Sequence, residues 1–292
     1  MRGKIALAAL ILGLIGTVAP AQEKVLTPGM NELYCSGVIT TEEVPRDTYI
    51  ITGEESNYRI TFEGGDHVFI NKGAEQGARI GDEFLVVRPV KDTIRIEWTK
   101  WQHSTLRDMG KLWEDEGRIK VTALRSDVAI AEVEHTCDYV QRGDIVLPFV
   151  ARVAPPLKPA GKFDRFAPPT GKTLAMVITG KKYQQEVGRN DIIYVNLGSN
   201  QGLRVGDYFR IFRYEDAHHE KVFQTHRFAF DVEGDWGPVY GFGSAPSKYT
   251  WQNMPHENIG EGIVLRTGPD SATVLITRSL QEIFPGDYVE LE

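Results

Sequence analysis

One phrase occurs twice in this chain and constrains its fold more than any other feature. Residues 71–82 read NKGAEQGARIGD and residues 196–207 read NLGSNQGLRVGD, so an asparagine, three glycines and an aspartate recur in step. We call these segments the first and the second glycine loop. Ordered agreement of further blocks around them indicates an internal duplication. The matching blocks are 66–71 with 191–196, 83–88 with 208–213, 116–134 with 261–278, and 141–149 with 284–292.

The duplication divides the chain into two modules of similar length. We place the first module at residues 35–149 and the second at residues 173–292. The segment between them, 150–172, holds five prolines and is typical of a semi-rigid linker or an extended strap. Residues 22–34 are expected to form a loosely ordered tail. Because 292 residues suffice for two domains, each module is expected to have a core of its own.

Apolar residues alternate along short runs in both modules, as Val68 and Ile70 or Phe84 and Val86 do. The runs are rich in β-branched and aromatic residues and are separated by Gly, Asp and Asn, which is typical of half-buried strands. The sequence therefore predicts a mainly β protein, with two tandem small modules that are barrel-like or sandwich-like. At most one helix is expected in each, and in the first module residues 99–116 favour it.

Each glycine loop has the pattern of a structural turn. Gly73 is expected to adopt a backbone angle that branched residues do not tolerate, and Gly77 to end a short helical turn in the left-handed conformation. Gly81 and Asp82 then form a tight turn into the next strand. The same roles fall to Gly198, Gly202, Gly206 and Asp207 in the second loop. A phosphate-binding loop would need Lys-Ser/Thr after the last glycine, but an aspartate follows it and would repel phosphate.

With the strand pair that follows, this pattern resembles the C-terminal domain of the flagellar assembly protein T family. The resemblance covers apolar-Asn-x-Gly-x-x-x-Gly-x-x-x-Gly-Asp-x-Phe-x-Val and the strand pair that ends in a second Gly-Asp. That family contributes to a periplasmic ring at the base of certain flagella. The resemblance implies a β-rich periplasmic assembly module and does not by itself imply a flagellum. The chain departs from the family by carrying two copies in tandem.

The first 21 residues have the pattern of a signal peptide. Arg2 and Lys4 precede an apolar stretch that ends in Ala-Pro-Ala, and the stretch is shorter than the ~20 apolar residues that a membrane helix needs. We expect cleavage near Ala21 and a periplasmic or otherwise exported chain, with no membrane span after cleavage. The formal net charge is −7 and there is no basic run, which argues against a nucleic-acid partner.

Cys35 and Cys137 are the two cysteines of the chain, and both fall in the first half. Export favours one disulfide between them. The second repeat has no cysteine at the matching positions, as expected for a bonded pair. Two buried free thiols are the alternative.

The sequence carries no recognisable catalytic motif. The chain has no Gly-x-Ser-x-Gly, and His219-Glu220 lacks the second histidine of a zinc-protease helix. We therefore expect no enzyme activity, no catalytic residue, no metal and no cofactor.

Aromatic residues are the remaining candidates for binding. All five tryptophans fall in the segments inserted between repeat blocks, and tryptophan is favoured in recognition surfaces. The alternative is that their rings only fill barrel ends. We expect an exported, non-enzymatic envelope scaffold or assembly protein that acts through protein contacts; the alternative is a module that binds glycan or peptidoglycan. The candidate partner-binding residues are Trp98, Trp101, Trp113, Trp236, Tyr249 and Trp251.

Overall fold

The computed structural model describes residues 26–159, 161–214, 221–224, 247–250 and 256–292. This part of the chain is mainly β, with seventeen strands and two α-helices. The predicted fold class is confirmed. Neither described helix is long and apolar enough to cross a membrane. The predicted signal peptide lies outside the described residues.

The first module forms a curled sheet with the strand order β2-β4-β7-β6-β5-β9, and β1 also pairs with β6. The short strands β3 and β8 pair separately. Helix α1 (Met30–Tyr34) precedes this sheet and helix α2 (Gln102–Met109) lies between β5 and β6. The strands are β1 (Val38–Thr40), β2 (Ile50–Gly53), β3 (Thr61–Phe62), β4 (His67–Ile70), β5 (Glu83–Pro89), β6 (Lys111–Leu124), β7 (Ala129–Thr136), β8 (Val140–Gln141) and β9 (Ile145–Pro148).

The second module forms a closed six-stranded barrel with the order β10-β11-β16-β15-β12-β17. This is the order of the first module, strand for strand, as a duplication requires. A separate pair, β13 with β14, lies between β12 and β15 in the sequence. The strands are β10 (Leu174–Gly180), β11 (Ile192–Val195), β12 (Tyr208–Tyr214), β13 (Lys221–Gln224), β14 (Ser247–Thr250), β15 (His256–Thr267), β16 (Ala272–Ser279) and β17 (Tyr288–Leu291).

The strand register corrects the alignment of the two repeats. Val86 pairs with Gly117 in the first module, and its counterpart Ile211 pairs with Gly260 in the second. Both pairs are followed by a bulge. Gly117 therefore corresponds to Gly260 and not to Gly262, so the match of 116–134 with 261–278 was wrong by two residues. Residues 116–117 and 261–262 both read Glu-Gly, which is why sequence similarity chose Gly262 and not Gly260.

The two modules differ where the first and last strands meet. In the second barrel β10 pairs with β17, and the Leu291 amide also donates to the Thr173 carbonyl. In the first module the corresponding seam has one isolated bridge, between Tyr49 and Ile145. Pro148 occupies the position of Leu291 there and has no N–H to donate. The first sheet is therefore curled but less completely closed.

An arginine–aspartate pair recurs at the same place in both modules. The guanidinium of Arg88 donates to both carboxylate oxygens of Asp144 at 2.7 and 2.8 Å. Arg213 binds Asp287 in the same way at 2.7 Å to each oxygen. Each pair joins β5 or β12 to the second Gly-Asp turn. Bidentate pairs of this kind fix geometry, so this pair explains the second Gly-Asp in each repeat.

The modules have separate inner cores and also share a third core, which the sequence analysis did not predict. The third core packs α1, β1 and α2 against the outer face of the second barrel, so the modules are joined by apolar burial. Its buried members are Leu33, Ile39, Leu106, Met109, Leu112, Ile178, Tyr183, Ile192, Tyr194, Tyr208, Ile263, Leu265 and Leu275.

The segment before the first module is ordered where the structure describes it, which corrects the expectation of a loose tail. Met30–Tyr34 form α1, and Leu33 is buried in the shared core. Strand β1 continues from this helix and pairs with β6. The carbonyls of Gly37 and Ile39 accept hydrogen bonds from Thr273 and Ser271 of the second module. Helix α1 and strand β1 thus lie between the sheet of the first module and the barrel of the second.

The helix predicted over residues 99–116 is shorter than expected. It ends at Met109, because Gly110 has φ 110° and a Cβ there would lie 2.1 Å from the Thr40 carbonyl oxygen. From Lys111 the chain continues as β6, so pairing with β5 and β1 overrides the local helix propensity. Trp113 therefore belongs to the framework and not to the insertion.

The linker is an extended strap that is fixed to both modules. Arg152 donates two hydrogen bonds of 2.8 Å to Asp115 of the first module. Further along, the Lys158 amide donates to the Tyr208 hydroxyl at 2.6 Å. The Asn258 side chain donates to the carbonyls of Asp164 and Ala167. These bonds hold the linker against the surface.

Candidate functional site

The glycine loops use their polar groups for their own turns. Gly77 and Gly202 have φ of 81° and 84°, in the left-handed region. The Gln76 side chain accepts from the Gly73 amide at 2.8 Å, and Gln201 does the same for Gly198. The amides of Ala74 and Glu75 donate to the carbonyls of Arg125 and Ser126. The amides that a phosphate would need are thus already bonded.

The first glycine of each loop is needed for a different reason from the one predicted. Gly73 and Gly198 have φ of −99° and −140°, which any residue adopts. A Cβ on Gly73 would lie 2.4 Å from the Val128 amide nitrogen, and one on Gly198 would lie 2.6 Å from that of Ser271. The requirement is close approach of two backbones, and the expectation of an unusual angle here was wrong.

The insertion before β6 exposes three large apolar side chains within six residues. Ile96, Trp98 and Trp101 are 79%, 54% and 64% exposed. We call these three residues the tryptophan surface. The Lys100 ammonium lies 5.2 Å from the centre of the Trp101 ring. Such a cluster on a loop held by a frame is a candidate contact site.

A buried glutamine fixes the tryptophan surface to the second module. Gln102 is fully buried at the start of α2. Its side-chain oxygen accepts from the Trp98 amide at 2.9 Å. Its amide nitrogen donates to the Ile178 carbonyl at 2.7 Å and to Gln185 at 3.2 Å. Sequence reasoning missed Gln102, because nothing in its neighbours indicates a partner 76 residues away.

Ring stacking adds a second attachment. The Trp98 and Phe284 rings are stacked, with centroids 5.5 Å apart and planes inclined by 7°. Thr99 lies beside Gly286, where a Cβ would approach it to 3.0 Å. The insertion of the first module therefore rests on the second Gly-Asp turn of the second module. Trp98 partly serves this contact, whereas Trp101 remains open.

Of the other predicted aromatic residues, Trp113 is the one whose side chain the structure describes. Trp113 is 4% exposed in β6, with the Arg46 guanidinium 5.2 Å from its ring centre, so it is a core residue. Trp236 and Trp251 lie outside the described residues. Tyr249 lies in β14, and its side chain is outside the described part.

A buried ionic centre lies where the modules and the linker meet. Asp115 of the first module is 2% exposed and binds Arg152 of the linker at 2.8 Å and Arg266 of the second module at 3.3 Å. Burial alone would raise the pKa of Asp115. The hydrogen bonds from Arg152 and the charges of both arginines outweigh it and hold the pKa below its usual value.

The pKa of Glu116, on the same strand, is shifted in the opposite direction from that of Asp115. It is 3% exposed, and burial raises its pKa to about 7, although Arg88 at 3.2 Å opposes the shift. The nearby carboxylates of Asp144 and Glu114 add to it. Glu116 corresponds to Ile259 of the second module, because each is the bulged residue before the paired glycine.

The predicted disulfide between Cys35 and Cys137 is confirmed. It closes a loop with a sequence separation of 102, which in the chain-entropy model stabilises the fold by about 4–5 kcal/mol. His135 Nε2 lies 3.5 Å from Cys35 Sγ. Ligand atoms of these three residues all lie within 4.8 Å of one another, which makes them a group of potential metal ligands within the described residues.

No protein-family model matches this chain, and no match was found among the curated proteins. Of the features above, the tryptophan surface is suited to binding, while the ionic centre and the glycine loops serve the fold.

Proposed function

We propose that this chain is an exported, non-enzymatic scaffold or assembly protein of the cell envelope that acts through protein–protein contacts. The observation that carries the proposal is the exposure of Trp98 and Trp101 on a segment attached to both modules. Tryptophan is among the residues that contribute most to the stability of protein interfaces. Because the segment is already ordered, binding loses less conformational entropy than it would from a mobile loop.

Export is supported by the signal-peptide pattern of residues 1–21 and by the disulfide, which persists in oxidising compartments. The resemblance of each glycine loop to flagellar assembly protein T points in the same direction. Whether the partner belongs to an appendage is a question for the experiment below.

Glycan binding is the second candidate, and the exposed ring of Trp101 is the observation that favours it. A flat aromatic face that is 64% exposed offers an apolar platform for a sugar ring. A protein partner is favoured over glycan because Ile96 and Trp98 extend the exposed apolar area beside it.

The test places a photo-crosslinking amino acid at position 101 and irradiates cells that express the exported chain. We expect one protein adduct, which mass spectrometry identifies. The matched control places the same residue at Tyr58, an aromatic position that is 91% exposed and outside the tryptophan surface. The adduct should be absent there.

A second arm sediments the purified chain with isolated cell wall. Binding of wild type and its loss in Trp101→Ala, together with no specific protein adduct, would replace the scaffold proposal with the glycan one. Trp101→Ala should leave thermal unfolding nearly unchanged, since its side chain is largely in solvent.

A further inference from the structure

We propose that, when the disulfide is reduced, Cys35, His135 and Cys137 form a binding site for a soft d10 cation such as Zn²⁺ or Cu⁺. Thiolate and imidazole are the ligands that such ions prefer. This inference is independent of the scaffold function. It concerns the reduced chain, whereas the structure shows the oxidised one.

The three ligands are held by different parts of the frame. His135 lies in β7, and Cys137 follows the end of that strand with its amide bonded to the Glu116 carbonyl at 2.9 Å. The ligand atoms of His135 and Cys137 lie within 4.8 Å of each other. Cys35 approaches from the end of α1. The positions of Cys35 and Cys137 therefore do not depend on the disulfide alone.

The helix that carries Cys35 has its own attachments. Leu33 is buried in the shared core, and its carbonyl accepts a hydrogen bond of 2.6 Å from Arg152. Ser36, next to Cys35, is fully buried and donates to the same carbonyl. Reduction therefore removes one of several links that hold Cys35 near β7, so the ligands should stay together.

The distances suit a tetrahedral ion. Zn–S bonds of about 2.3 Å and Zn–N bonds of about 2.0–2.1 Å place a sulfur and a nitrogen ligand about 3.6 Å apart. Cys35 Sγ and His135 Nε2 are already 3.5 Å apart. The two sulfurs, which are bonded at present, need only separate to about 3.8 Å. Nε2 faces the sulfur, so the tautomer with the proton on Nδ1 offers its lone pair there.

The site also has an open side. A cavity of about 240 Å³ borders both cysteines and is lined by Glu32, Lys181 and Asp191 among others. It gives an ion and a reductant access from solvent. With three protein ligands, the fourth position would be taken by water, as in zinc sites that remain accessible.

The reaction balances in two steps. A dithiol reductant transfers two electrons to the S–S bond, so Cys35 and Cys137 become thiols and the reductant becomes a disulfide. The cation then displaces one proton from each thiol to solvent and binds two thiolates and neutral His135. Because protons are released, affinity should fall as the pH is lowered.

The test uses the full mature chain, reduced under anaerobic conditions and freed of reductant, with Zn²⁺ alone as the probe. Equilibrium dialysis should give one bound ion per reduced chain and none per oxidised chain. His135→Ala should weaken binding by at least about tenfold, and Cys35→Ser by more. Co²⁺ should give a thiolate charge-transfer band that is altered by His135→Ala.

His67→Ala is the matched control, because His67 lies in β4, is not one of the three grouped ligands, and contacts Glu54 at 3.0 Å. It should bind Zn²⁺ as wild type does. The proposal is overturned if the reduced chain binds no ion, or if His135→Ala binds as tightly as wild type. Loss of the β circular dichroism signal on reduction would also overturn it, since the ligands would then not be held together.

Discussion

The two modules share a framework and differ in what covers it. Tyr208 and Ile263 pair on the outer face of the second barrel and are buried in the shared core. The corresponding pair in the first module is Glu83 with Lys120, which joins a surface ion-pair network. The inner faces remain apolar in both. A duplicated fold can therefore acquire a dedicated interface by changing only the outward residues of its strands.

This contrast also separates the effects of burial from those of chain conformation. On the outward faces, positions such as Leu275 that are buried in the second module have solvated counterparts in the first, in the same strand and register. Substitutions made in pairs at such positions test the comparison directly.

The largest effect is expected at the ionic centre. Asp115 corresponds to Asn258, so Asp115→Asn makes the first module like the second. It removes the charge of the buried carboxylate that lies between the half-buried Arg152 and Arg266, which should reduce the free energy of unfolding by about 3–5 kcal/mol. Urea unfolding measures the loss.

Asp127→Asn, at an exposed position, is the control for Asp115→Asn and should change little. The pH dependence supplies a second check. Because the folded pKa of Asp115 is lowered, its contribution is present above the unfolded value and is lost as pH falls through the folded one. An Asp115→Asn chain as stable as wild type would mean that the modules are not joined through this centre.

The second largest loss of stability is expected from substitutions on the outer faces of the two sheets. Leu275 is 5% exposed and pairs with Ile192, whereas its counterpart Glu132 is exposed and pairs with His67. Leu275→Ala should cost about 3 kcal/mol and Glu132→Ala within about 0.5 kcal/mol. Calorimetry checks both.

Since the third core joins the modules, the Leu275→Ala chain should unfold in a single transition at a lower temperature. Two transitions, with only the second-module transition shifted, would restore the expectation of separate cores. In that case the shared core would not couple the modules.

The glycine loops should behave alike in both modules. Gly73→Ala and Gly198→Ala each press a Cβ against backbone and should cost about 2 kcal/mol or more. Gly77→Ala and Gly202→Ala have open space around the Cβ, so only the positive φ opposes them, at about 1 kcal/mol. Thermal unfolding of the four variants gives the ranking. The reverse order within either loop would show that close approach is not what the first glycine serves.

Glu116 should make the stability of the chain depend on pH, whereas its counterpart Ile259 has no group that titrates. Its folded pKa of about 7 exceeds the value of 4.5 for the free side chain, so its contribution is fully present below 4.5 and is lost as pH rises through about 7. Glu116→Gln should flatten the dependence of stability on pH between 5 and 8.

The loss at Glu116, after a discount for solvent screening, is on the order of 1–2 kcal/mol. Urea unfolding at several pH values measures it. A slope that is the same in Glu116→Gln and in wild type would assign the dependence to other groups.

The smallest effect is expected at the seam of the first sheet. Pro148→Leu restores the N–H that Leu291 uses in the second module. One added backbone hydrogen bond contributes at most about 1 kcal/mol, and the loss of proline rigidity offsets part of it. Hydrogen exchange should show protection of the new amide. Rapid exchange there would mean that another feature keeps the seam open.

The framework could be predicted from the sequence because it rests on local patterns. Alternation at Val68 and Ile70 and the left-handed glycines are written in consecutive residues, so the β class, the duplication and the two modules followed from them. The disulfide followed from cysteine number and the expected compartment. Gly73 was placed in the right turn, but the backbone that approaches it comes from residue 128, which no local pattern reveals.

The contacts between the modules could not be predicted in this way. Gln102 looks like an ordinary helix residue, and its partners are in β10 and the loop beyond it. Asp115 looks like one of several acids until Arg152 and Arg266 are brought to it. The helix at 99–116 was overestimated because propensity carries no information on the strands that compete for residues after Gly110. Sites that are formed by residues far apart in the sequence could therefore be identified only from the structure.

The position of β1 has a consequence for the order in which the parts of the chain fold. Residues are made from the N-terminus, yet Gly37 and Ile39 need Thr273 and Ser271, which are made 236 and 232 residues later. The earliest described strand must therefore wait for the second module before its surroundings are complete, and such distant contacts form slowly. During this interval Cys137 is already available, so oxidation with Cys35 can hold the waiting segment beside β7 until the second module arrives.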